Sequence, residues 1–319
     1  PSSRSRAPTT PWASAGRGRI KTTARAGRRA LVTGAAGQLG SALSWALRRA
    51  LGPSLVVASD VRVPPGAGAA FLRLDVTDPR AVRRAVEGLD VGTVYHLAAV
   101  KSAEAERSRA AAWRTNVDGL ANCLEALRPR RGSLFFSSSL AAAGDTTLYG
   151  VAKRAGELLC GYYRAMHGVD ARSLRLPVLL HPDMEPGGGG TADFAVEMLR
   201  EARGGRPYRC FLSAKTSLPF LHLGDAVRAV LSFAAAPEAR PSVGAGLPGF
   251  SLTPERLAAE IRRHRPGLRV SYAIDPVRQA IADSWPKRLG RADAPKGWLP
   301  EAGYGMRETV AEMLAPRIQ

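Results

Sequence analysis

A tyrosine and a lysine four residues apart, Tyr149 and Lys153, open a stretch whose apolar spacing predicts a helix over residues 149–167. Side chains at this spacing lie on one face of a helix. A free phenol has a pKa of about 10 and is a poor base at neutral pH, but an adjacent lysine charge favours the phenolate. The pair therefore suits general-base chemistry on a hydroxyl group. A solvated surface pair is the alternative, because any helix can carry this spacing by chance.

Three consecutive serines, Ser137, Ser138 and Ser139, end an apolar run that predicts a strand over residues 133–138. In an α/β protein the carboxyl ends of parallel strands face the crevice where cofactors bind. A hydroxyl there can hydrogen-bond the oxygen of a reacting alcohol. The serines therefore favour the catalytic interpretation of Tyr149 and Lys153.

A glycine-rich turn, with Gly34, Gly37 and Gly40, follows the first predicted strand and opens the first predicted helix. Glycines let the backbone turn sharply and approach a pyrophosphate, which binds at the helix N-terminus. Because the turn has the right element on each side, it predicts a dinucleotide site.

An acid in the right place indicates which dinucleotide binds. Asp60 ends the second predicted strand 20 residues after Gly40, where a carboxylate can accept a hydrogen bond from a ribose 2′-hydroxyl. The same charge repels a 2′-phosphate, so NAD is favoured, while the nearby Arg62 keeps NADP open. Asp75 and Val76, after the third strand, are expected at the adenine edge.

Short apolar runs alternate with helix-like segments from residue 30 onward, which predicts parallel strands with crossover helices. The predicted strands cover residues 30–33, 55–59, 71–76, 93–98, 133–138 and 171–176, and the predicted helices 39–51, 81–88, 103–127 and 149–167. After residue 177 come a Gly/Pro loop, a helix near 192–202, a run at 208–212 and a run at 220–223 that leads into a helix. We therefore expect an α/β fold, a Rossmann-type doubly wound parallel sheet at residues 30–177, with a smaller C-terminal mixed α/β substrate domain at 178–319.

The composition indicates which classes of protein and which kinds of site are compatible with this chain. The 319 residues, 45% hydrophobic and 23% charged, are typical of a folded chain with a sizeable core. Three scattered cysteines match neither a disulfide framework nor a zinc site, which favours a reducing compartment. The longest uncharged run, residues 30–47, is broken by glycines and polar residues, so no transmembrane helix is predicted. His96 lies in an apolar run and is interpreted as a packed core histidine, and no metal site is predicted.

The first 29 residues contain eight arginines and lysines together with many serines and threonines, and the first acid of the chain is Asp60. This composition is typical of an organelle transit peptide. We expect a mitochondrial location, with a plastid or the cytoplasm as alternatives, and a disordered basic arm is the other interpretation. The rest of the net charge of +19 is spread along the chain, without a block dense enough for a dedicated nucleic-acid tail.

Taken together, these motifs resemble the extended short-chain dehydrogenase/reductases, which include NAD-dependent epimerases and dehydratases. The resemblance rests on the glycine turn, Asp60, the stretches at 96–99 and 116–120, the serine run and the Tyr149–Lys153 pair. The second half is similar to the L-threonine 3-dehydrogenase branch of that superfamily. The matching stretches are 186–196, 208–212, 251–255 and, as the longest and most specific, Ile-Asp-Pro-Val-Arg-Gln-Ala-Ile-Ala-Asp-Ser-Trp-Pro at 274–286.

The resemblance implies roles for single residues. Tyr149 would be the catalytic base, Lys153 would lower its pKa and hold the nicotinamide ribose, and Ser139 would be the catalytic serine. The substrate contacts it implies are Ser102, Ser139, Thr191 and Trp285, although a core role suits Trp285 equally well.

The resemblance and the glycine turn together imply an NAD site. Asn116 matches a cofactor-site asparagine of the family, and Leu179, two residues past Pro177, would pass the nicotinamide. The residues expected to bind NAD are Gly34, Gly37, Gln38, Leu39, Gly40, Asp60, Val61, Arg62, Asp75, Val76, Leu97, Ala98, Ala99, Asn116, Tyr149, Lys153, Pro177 and Leu179.

The implied reaction is oxidation of the 3-hydroxyl of L-threonine by NAD to 2-amino-3-oxobutanoate, a step toward glycine. A homodimer would form through the helices predicted at 103–127 and 149–167, with no specific nucleic acid and no membrane as partner. One departure from the family stands out: only nine residues separate Ser139 from Tyr149, where extended members carry a longer segment lining the substrate cleft. We therefore expect the cleft to lose one wall, with a changed substrate set or reduced activity.

Two other functions remain open from the sequence. A nucleotide-sugar epimerase or dehydratase uses the same scaffold but needs a second domain that grips a nucleoside diphosphate. A non-catalytic NAD- or RNA-binding relative would explain the basic charge and the short segment, and it predicts salt-dependent RNA binding.

Overall fold

The structure is a computed structural model that describes residues 27–68, 71–144, 146–184, 190–237, 243–290 and 300–315. The predicted transit segment lies outside the described residues up to residue 26, as does the loop at 185–189. Among the described helices, none combines the length and apolar character needed to cross a membrane.

Strands and helices alternate through the first two thirds of the chain. The strands are β1 Arg29–Thr33, β2 Val56–Asp60, β3 Phe71–Arg73, β4 Val91–His96, β5 Ser133–Ser139, β6 Asp170–Leu176, β7 Val178–Leu180, β8 Tyr208–Cys210, β9 Leu218–His222, β10 Ala245–Gly246, β11 Phe250–Leu252 and β12 Val270–Tyr272. The helices are α1 Gln38–Leu51, α2 Pro79–Gly88, α3 Ser102–Arg107, α4 Arg109–Trp113, α5 Gly119–Leu127, α6 Leu148–His167, α7 Phe194–Arg203, α8 Leu223–Ala234, α9 Pro254–His264, α10 Pro276–Ser284 and α11 Met306–Leu314.

Seven parallel strands form the central sheet in the order β10-β6-β5-β4-β1-β2-β3. The central strands β1 and β4 are almost wholly buried, since apolar strands of a parallel sheet need cover on both faces. Helices α1 and α8 cover one face, and α2, α5 and α6 cover the other. The predicted α/β Rossmann-type sheet is confirmed.

A second, smaller core lies beyond β7. Helices α7, α9, α10 and α11 pack there around the β11-β9-β7 sheet and the β12-β8 pair. Helix α8 and β10 instead return to the first domain, because β10 pairs with β6 and α8 packs on the same core as α1. The chain thus crosses between the domains more than once, where the sequence suggested one boundary at residue 177.

The helix predicted over residues 103–127 is divided into α3, α4 and α5. Ser108 ends α3 with a non-helical backbone, and a π turn at Arg114–Asp118 leads into α5. Asn116, in that turn, bonds both the N–H and the C=O of Val100. This pair of bonds ties the π turn to the loop after β4, while the break in the predicted helix lies at Ser108, whose φ of −128° and ψ of 57° are not helical.

Two predicted strands are shorter than expected. The strand predicted at 71–76 ends at Arg73, because Asp75 turns the chain by accepting hydrogen bonds from the amide and hydroxyl of Thr77. The run at 208–212 ends at Cys210.

Helix α6 packs against β5 through a glycine. A Cβ at Gly156 would lie 2.5 Å from Cζ of Phe136, a ring that is 1% exposed. Such a ring cannot move aside without disturbing a close-packed core. Gly161, on the same helix, has nothing within 4 Å of its Cβ position. The contact at Gly156 therefore sets the distance between α6 and β5.

Gly156→Ala is expected to lower the melting temperature, because the added methyl group overpacks the core at a cost of about 1–3 kcal/mol. Gly161→Ala is the matched control and should raise it, because alanine favours a helix over glycine by about 0.5–1 kcal/mol. Thermal denaturation of both variants measures the difference. Equal shifts in the two variants would show that the contact at Gly156 does not set the packing.

Candidate active site

The glycine turn after β1 is closely packed at the carboxyl edge of the sheet. Gly34 has a φ of +71°, the left-handed region that favours glycine. A Cβ at Gly34 would lie 2.6 Å from the backbone nitrogen of Ala98, and one at Gly40 would overlap the carbonyl oxygen of Gly34. The turn therefore presents backbone rather than side chains at the edge of the sheet.

Helix α1 begins at this turn without a capping side chain. Its N-cap is Gly37, and its first turn, which includes Gln38 and Leu39, has no acidic residue. The first amides of a helix have no partner within the helix and attract anions. The turn and the helix start together fit the pyrophosphate of a dinucleotide.

The acid at the end of β2 lies against the same turn. Asp60 accepts hydrogen bonds from the amides of Ala36 and Arg62, each at 3.1 Å. Val61 and Arg62 are exposed beside it. Its carboxylate is half-buried at the place predicted for a ribose hydroxyl, so the side chains here fit NAD.

A buried hydroxyl links the ends of β1 and β4. Thr33 Oγ1 lies 3.0 Å from Nδ1 of His96 and accepts from the amides of Leu97 and Ala98 at 3.3 and 3.4 Å. Burial lowers the pKa of His96 to about 3, and the Lys153 charge adds to the shift. The imidazole is therefore neutral and packed in the core. Thr33 was not predicted from the sequence as a residue of the site, although its place directly before the glycine turn was a usable signal.

Asn116 shapes the loop that follows β4. It is 1% exposed, and its carboxamide accepts from Val100 N at 2.7 Å and donates to Val100 O at 3.0 Å. Ala99 lies directly before Val100. Val76, on the neighbouring loop, packs against Gly119. The cofactor contact expected of Asn116 stays a prediction, while its bonds to Val100 fix the loop that follows β4.

The residues predicted to be catalytic meet where β5 ends and α6 begins. Lys153 Nζ donates to the carbonyl of Ser137 at 2.6 Å and lies 5.6 Å from the centre of the Tyr149 ring. The Ser139 side chain hydrogen-bonds the phenol of Tyr149 and accepts from the amide of Ala141 at 3.2 Å. A hydroxyl, a phenol and an ammonium thus share one site.

Burial shifts the pKa values of both members of the pair. Burial raises the pKa of Tyr149 to about 12, and the hydrogen bond with Ser139 offsets this only in part. Burial also lowers the pKa of Lys153 to about 8, while the neighbouring Cys160 and Glu157 side chains act in the opposite direction. The lysine alone does not bring the phenol into the working range, because the same burial disfavours both charged forms.

The short segment between β5 and α6 contains a 3₁₀ turn and a helix-capping residue. A 3₁₀ turn covers Leu140–Ala143, and Thr147 caps α6 by accepting from Gly150 N at 3.1 Å. Thr146 Oγ1 lies 2.9 Å from Oγ of Ser284 at the end of α10. The second domain therefore packs directly on this segment, where the sequence predicted that the cleft would lose one wall.

The remaining predicted residues lie around the junction of the two domains. Pro177 is buried between β6 and β7, and Leu179 on β7 packs against the core of the first domain. Ser102 starts α3, and Thr191 is buried shortly before α7. Trp285 is 9% exposed within the second core, which favours its core role.

In the described ranges no group of three or more His, Cys, Asp and Glu side chains is placed to hold a metal ion.

Glu157 is a buried acid that the sequence analysis did not single out. It lies one turn beyond Lys153, so the spacing 149, 153, 157 was the available signal. Its carboxylate accepts from Ser138 Oγ at 2.6 Å and from two nitrogens of Arg175 at 2.7 Å each.

Comparisons with known proteins agree with this geometry. The family model described as "NAD dependent epimerase/dehydratase family" matches residues 30–245. An uncharacterized epimerase/dehydratase of Staphylococcus haemolyticus is 40% identical over 91% of this chain and 99% of its own length. The mitochondrial L-threonine 3-dehydrogenase of Bos taurus is 36% identical over 90% and 82%, respectively. The holo form of L-threonine dehydrogenase from Cupriavidus necator superposes with a TM-score of 0.84 and 38% identity, covering 90% of this chain and 98% of that one.

Lys153→Met is expected to raise the melting temperature at pH 7. The folded-state pKa of about 8 lies below the ordinary value of 10.5, so the unfolded chain binds more protons between these values and stability rises with pH across that window. The gain from methionine should therefore be largest below pH 8 and shrink toward pH 10.5.

The control for this experiment is Lys215→Met, at an exposed lysine, which should change the melting temperature only slightly, as is usual for a surface substitution. Thermal denaturation across the pH range measures both variants. A Lys153→Met variant that is less stable than wild type at pH 7 would contradict the cost assigned to the buried charge.

Proposed function

The chain belongs to the NAD dependent epimerase/dehydratase family, and from that premise we propose that it oxidises the 3-hydroxyl of L-threonine with NAD to 2-amino-3-oxobutanoate. The observation that carries the proposal is the shared site of Ser139, Tyr149 and Lys153, close to a glycine turn that fits a dinucleotide. Relatives named as threonine dehydrogenases cover nine tenths of this chain, which supports the choice of substrate.

The roles follow from the chemistry of each group. Tyr149 takes the proton of the substrate hydroxyl, and Ser139 hydrogen-bonds the same oxygen as it becomes a carbonyl. The ammonium of Lys153 favours the phenolate form of Tyr149. Bound NAD supplies the acceptor for the hydride from carbon 3 and a positive ring that favours the phenolate. Asp60 and the start of α1 hold the ribose and the pyrophosphate.

The amino acid is proposed to lie between the two domains. Ser102 and Thr191 are the candidate hydrogen-bonding groups for it, one from each side of the junction. Trp285 contributes to the shape of this region from the second core rather than as an exposed cover. An epimerase reaction on a sugar nucleotide, the alternative within the family, is an outcome that the same assay would reveal.

Tyr149→Phe is expected to lower kcat by about a hundred- to ten-thousand-fold, because it removes the general base. NADH formation from L-threonine and NAD measures this, with L-serine and L-allo-threonine as substrate controls. NADH binding should be nearly unchanged. Tyr162→Phe, on the exposed side of the same helix, is the matched control and should retain activity.

Three results would count against these roles. Turnover retained in Tyr149→Phe would remove this residue as the base. Wild-type NADH binding without threonine oxidation would overturn the proposed substrate. Thermal protection by a sugar nucleotide, without a threonine effect, would favour the epimerase alternative.

We also propose that the chain forms a homodimer through α6. Large apolar side chains stand exposed along one side of this helix: Val151 at 39%, Leu158 at 62%, Tyr162 at 52% and Met166 at 66%. Trp113, at the end of the neighbouring α4, is also exposed. A contiguous apolar surface of this kind is typical of an interface, and a second copy can cover it by pairing its own α6.

Light scattering should give wild-type protein a mass of twice the 33.8 kDa of one chain. Leu158→Glu should yield monomers, because it places a charge within the apolar surface. Val277→Glu, at a side chain that is 68% exposed on α10, is the control and should leave the mass unchanged. A monomeric wild type would contradict the proposed interface.

Mitochondrial import is a further proposal, supported by the acid-free, arginine-rich composition of residues 1–29. A fluorescent protein fused behind this segment should enter mitochondria, and one left in the cytosol would contradict the proposal.

A further inference from the structure

Glu157 is the sole acid in the sequence of α6, and its side chain is 1% exposed. A carboxylate in such a place loses its hydration, which is costly unless charged and polar partners replace the water. Here four donors do so: Ser138 Oγ at 2.6 Å, Arg175 Nε and Nη2 at 2.7 Å each, and Arg154 Nη1 at 2.9 Å. A buried network this complete holds its members in one arrangement.

The serine run of β5 meets successive turns of α6 through three different contacts. Ser139 hydrogen-bonds Tyr149, the carbonyl of Ser137 accepts from Lys153, and Ser138 donates to Glu157. The helix residues involved are spaced by four, so they share the face that lies on the sheet. Glu157 therefore anchors the same helix face that carries the predicted base and lysine.

The network also includes β6. Arg175 pairs with Ser138 in the register of the parallel sheet, and its guanidinium makes a two-pronged contact with Glu157. The chain continues from Arg175 through Pro177 to Leu179, the residue expected at the nicotinamide. One carboxylate thus joins α6 to β5 and β6, the strands that lead to Ser139 and to Pro177.

Glu157 also contributes charge at Lys153. The other titratable groups near this lysine are Tyr149 and Cys160 on its own helix and His96 on β4. Burial raises the pKa of both the phenol and the thiol and lowers that of the imidazole, so all three are neutral at pH 7. Among the described residues, Glu157 is therefore the negative charge that acts on the ammonium.

We propose that Glu157 is a positioning residue for the Tyr149–Lys153 pair, which locks α6 to β5 and β6 and keeps the ammonium charge on Lys153. The proposal rests on the proposed roles of Tyr149 and Lys153, but it does not require threonine to be the substrate. Loss of its charge would remove the carboxylate that Arg175 and Arg154 both contact.

The direct test is the titration of Lys153 by NMR. The chain has six lysines, so protein labelled with ¹³C at lysine Cε gives few signals, and the spectrum of Lys153→Met assigns the one of interest. The wild-type midpoint is expected at about 8. Glu157→Gln should lower it by about one unit, because a nearby opposite charge is lost.

Glu125→Gln is the matched control: it removes a carboxylate that bonds α6 through Tyr163, far from Lys153, and should leave the midpoint unchanged.

A second variant covers the case in which Glu157→Gln does not fold. Arg175→Gln removes a positive charge from the same network and should raise the Lys153 midpoint. An unchanged midpoint in Glu157→Gln, or an unchanged or lowered midpoint in Arg175→Gln, would overturn the electrostatic role.

The positioning role is tested separately by turnover. Ser138→Ala removes one hydrogen bond to Glu157 and no charge, so it should lower kcat about tenfold without moving the Lys153 midpoint. Glu157→Asp, which keeps the charge but shortens the side chain, should show the same pattern. Wild-type kcat in both variants would overturn the positioning role. If wild-type protein does not oxidise threonine, the proposed substrate fails while the titration still decides the charge role of Glu157.

Discussion

The buried ammonium of Lys153 is the constraint on which the rest of the site depends. Its hydrogen bond to Ser137 O, at 2.6 Å, holds α6 against the carboxyl end of β5. The Phe136 ring packs beside this contact, with its centre 4.6 Å from Nζ, and the glycine at position 156 lets the helix approach that ring. The same burial that fixes the geometry opposes both charges of the catalytic pair. A site built this way needs a positive group at the phenol, which is what an oxidised nicotinamide provides.

Much of the fold follows from sequence patterns because a parallel sheet covered on both faces needs apolar strands separated by amphipathic helices. The glycine turn, Asp60 and the spacing from Tyr149 to Lys153 could also be predicted from the sequence, because each depends on local geometry. The helix predicted at 103–127 was expected to be continuous, whereas in the structure it is broken at Ser108 and contains a π turn where Asn116 bonds Val100 across the loop. Such tertiary bonds leave no trace in the periodicity of the sequence.

Two further features could not be predicted from the sequence, because they also depend on tertiary contacts. Helix α8 and β10 return to the first domain because the free edge at β6 and the face beside α1 need cover, which depends on the whole fold. The short segment before Tyr149 was expected to leave the cleft open on one side. In the structure Leu140 and Ala141 belong to the second core, and Thr146 meets Ser284 at the end of α10. The second domain thus supplies contacts at the place where a longer loop would run.

The central claim is that this site removes a hydride from carbon 3 of threonine while Tyr149 takes the hydroxyl proton. The most direct measurement uses L-threonine deuterated at carbon 3, with mass spectrometry of the reduced cofactor. We expect NADH that carries the deuterium, together with a slower reaction than with unlabelled threonine where hydride transfer limits the rate. NADH without deuterium, or no NADH from a protein that binds NAD, would contradict it.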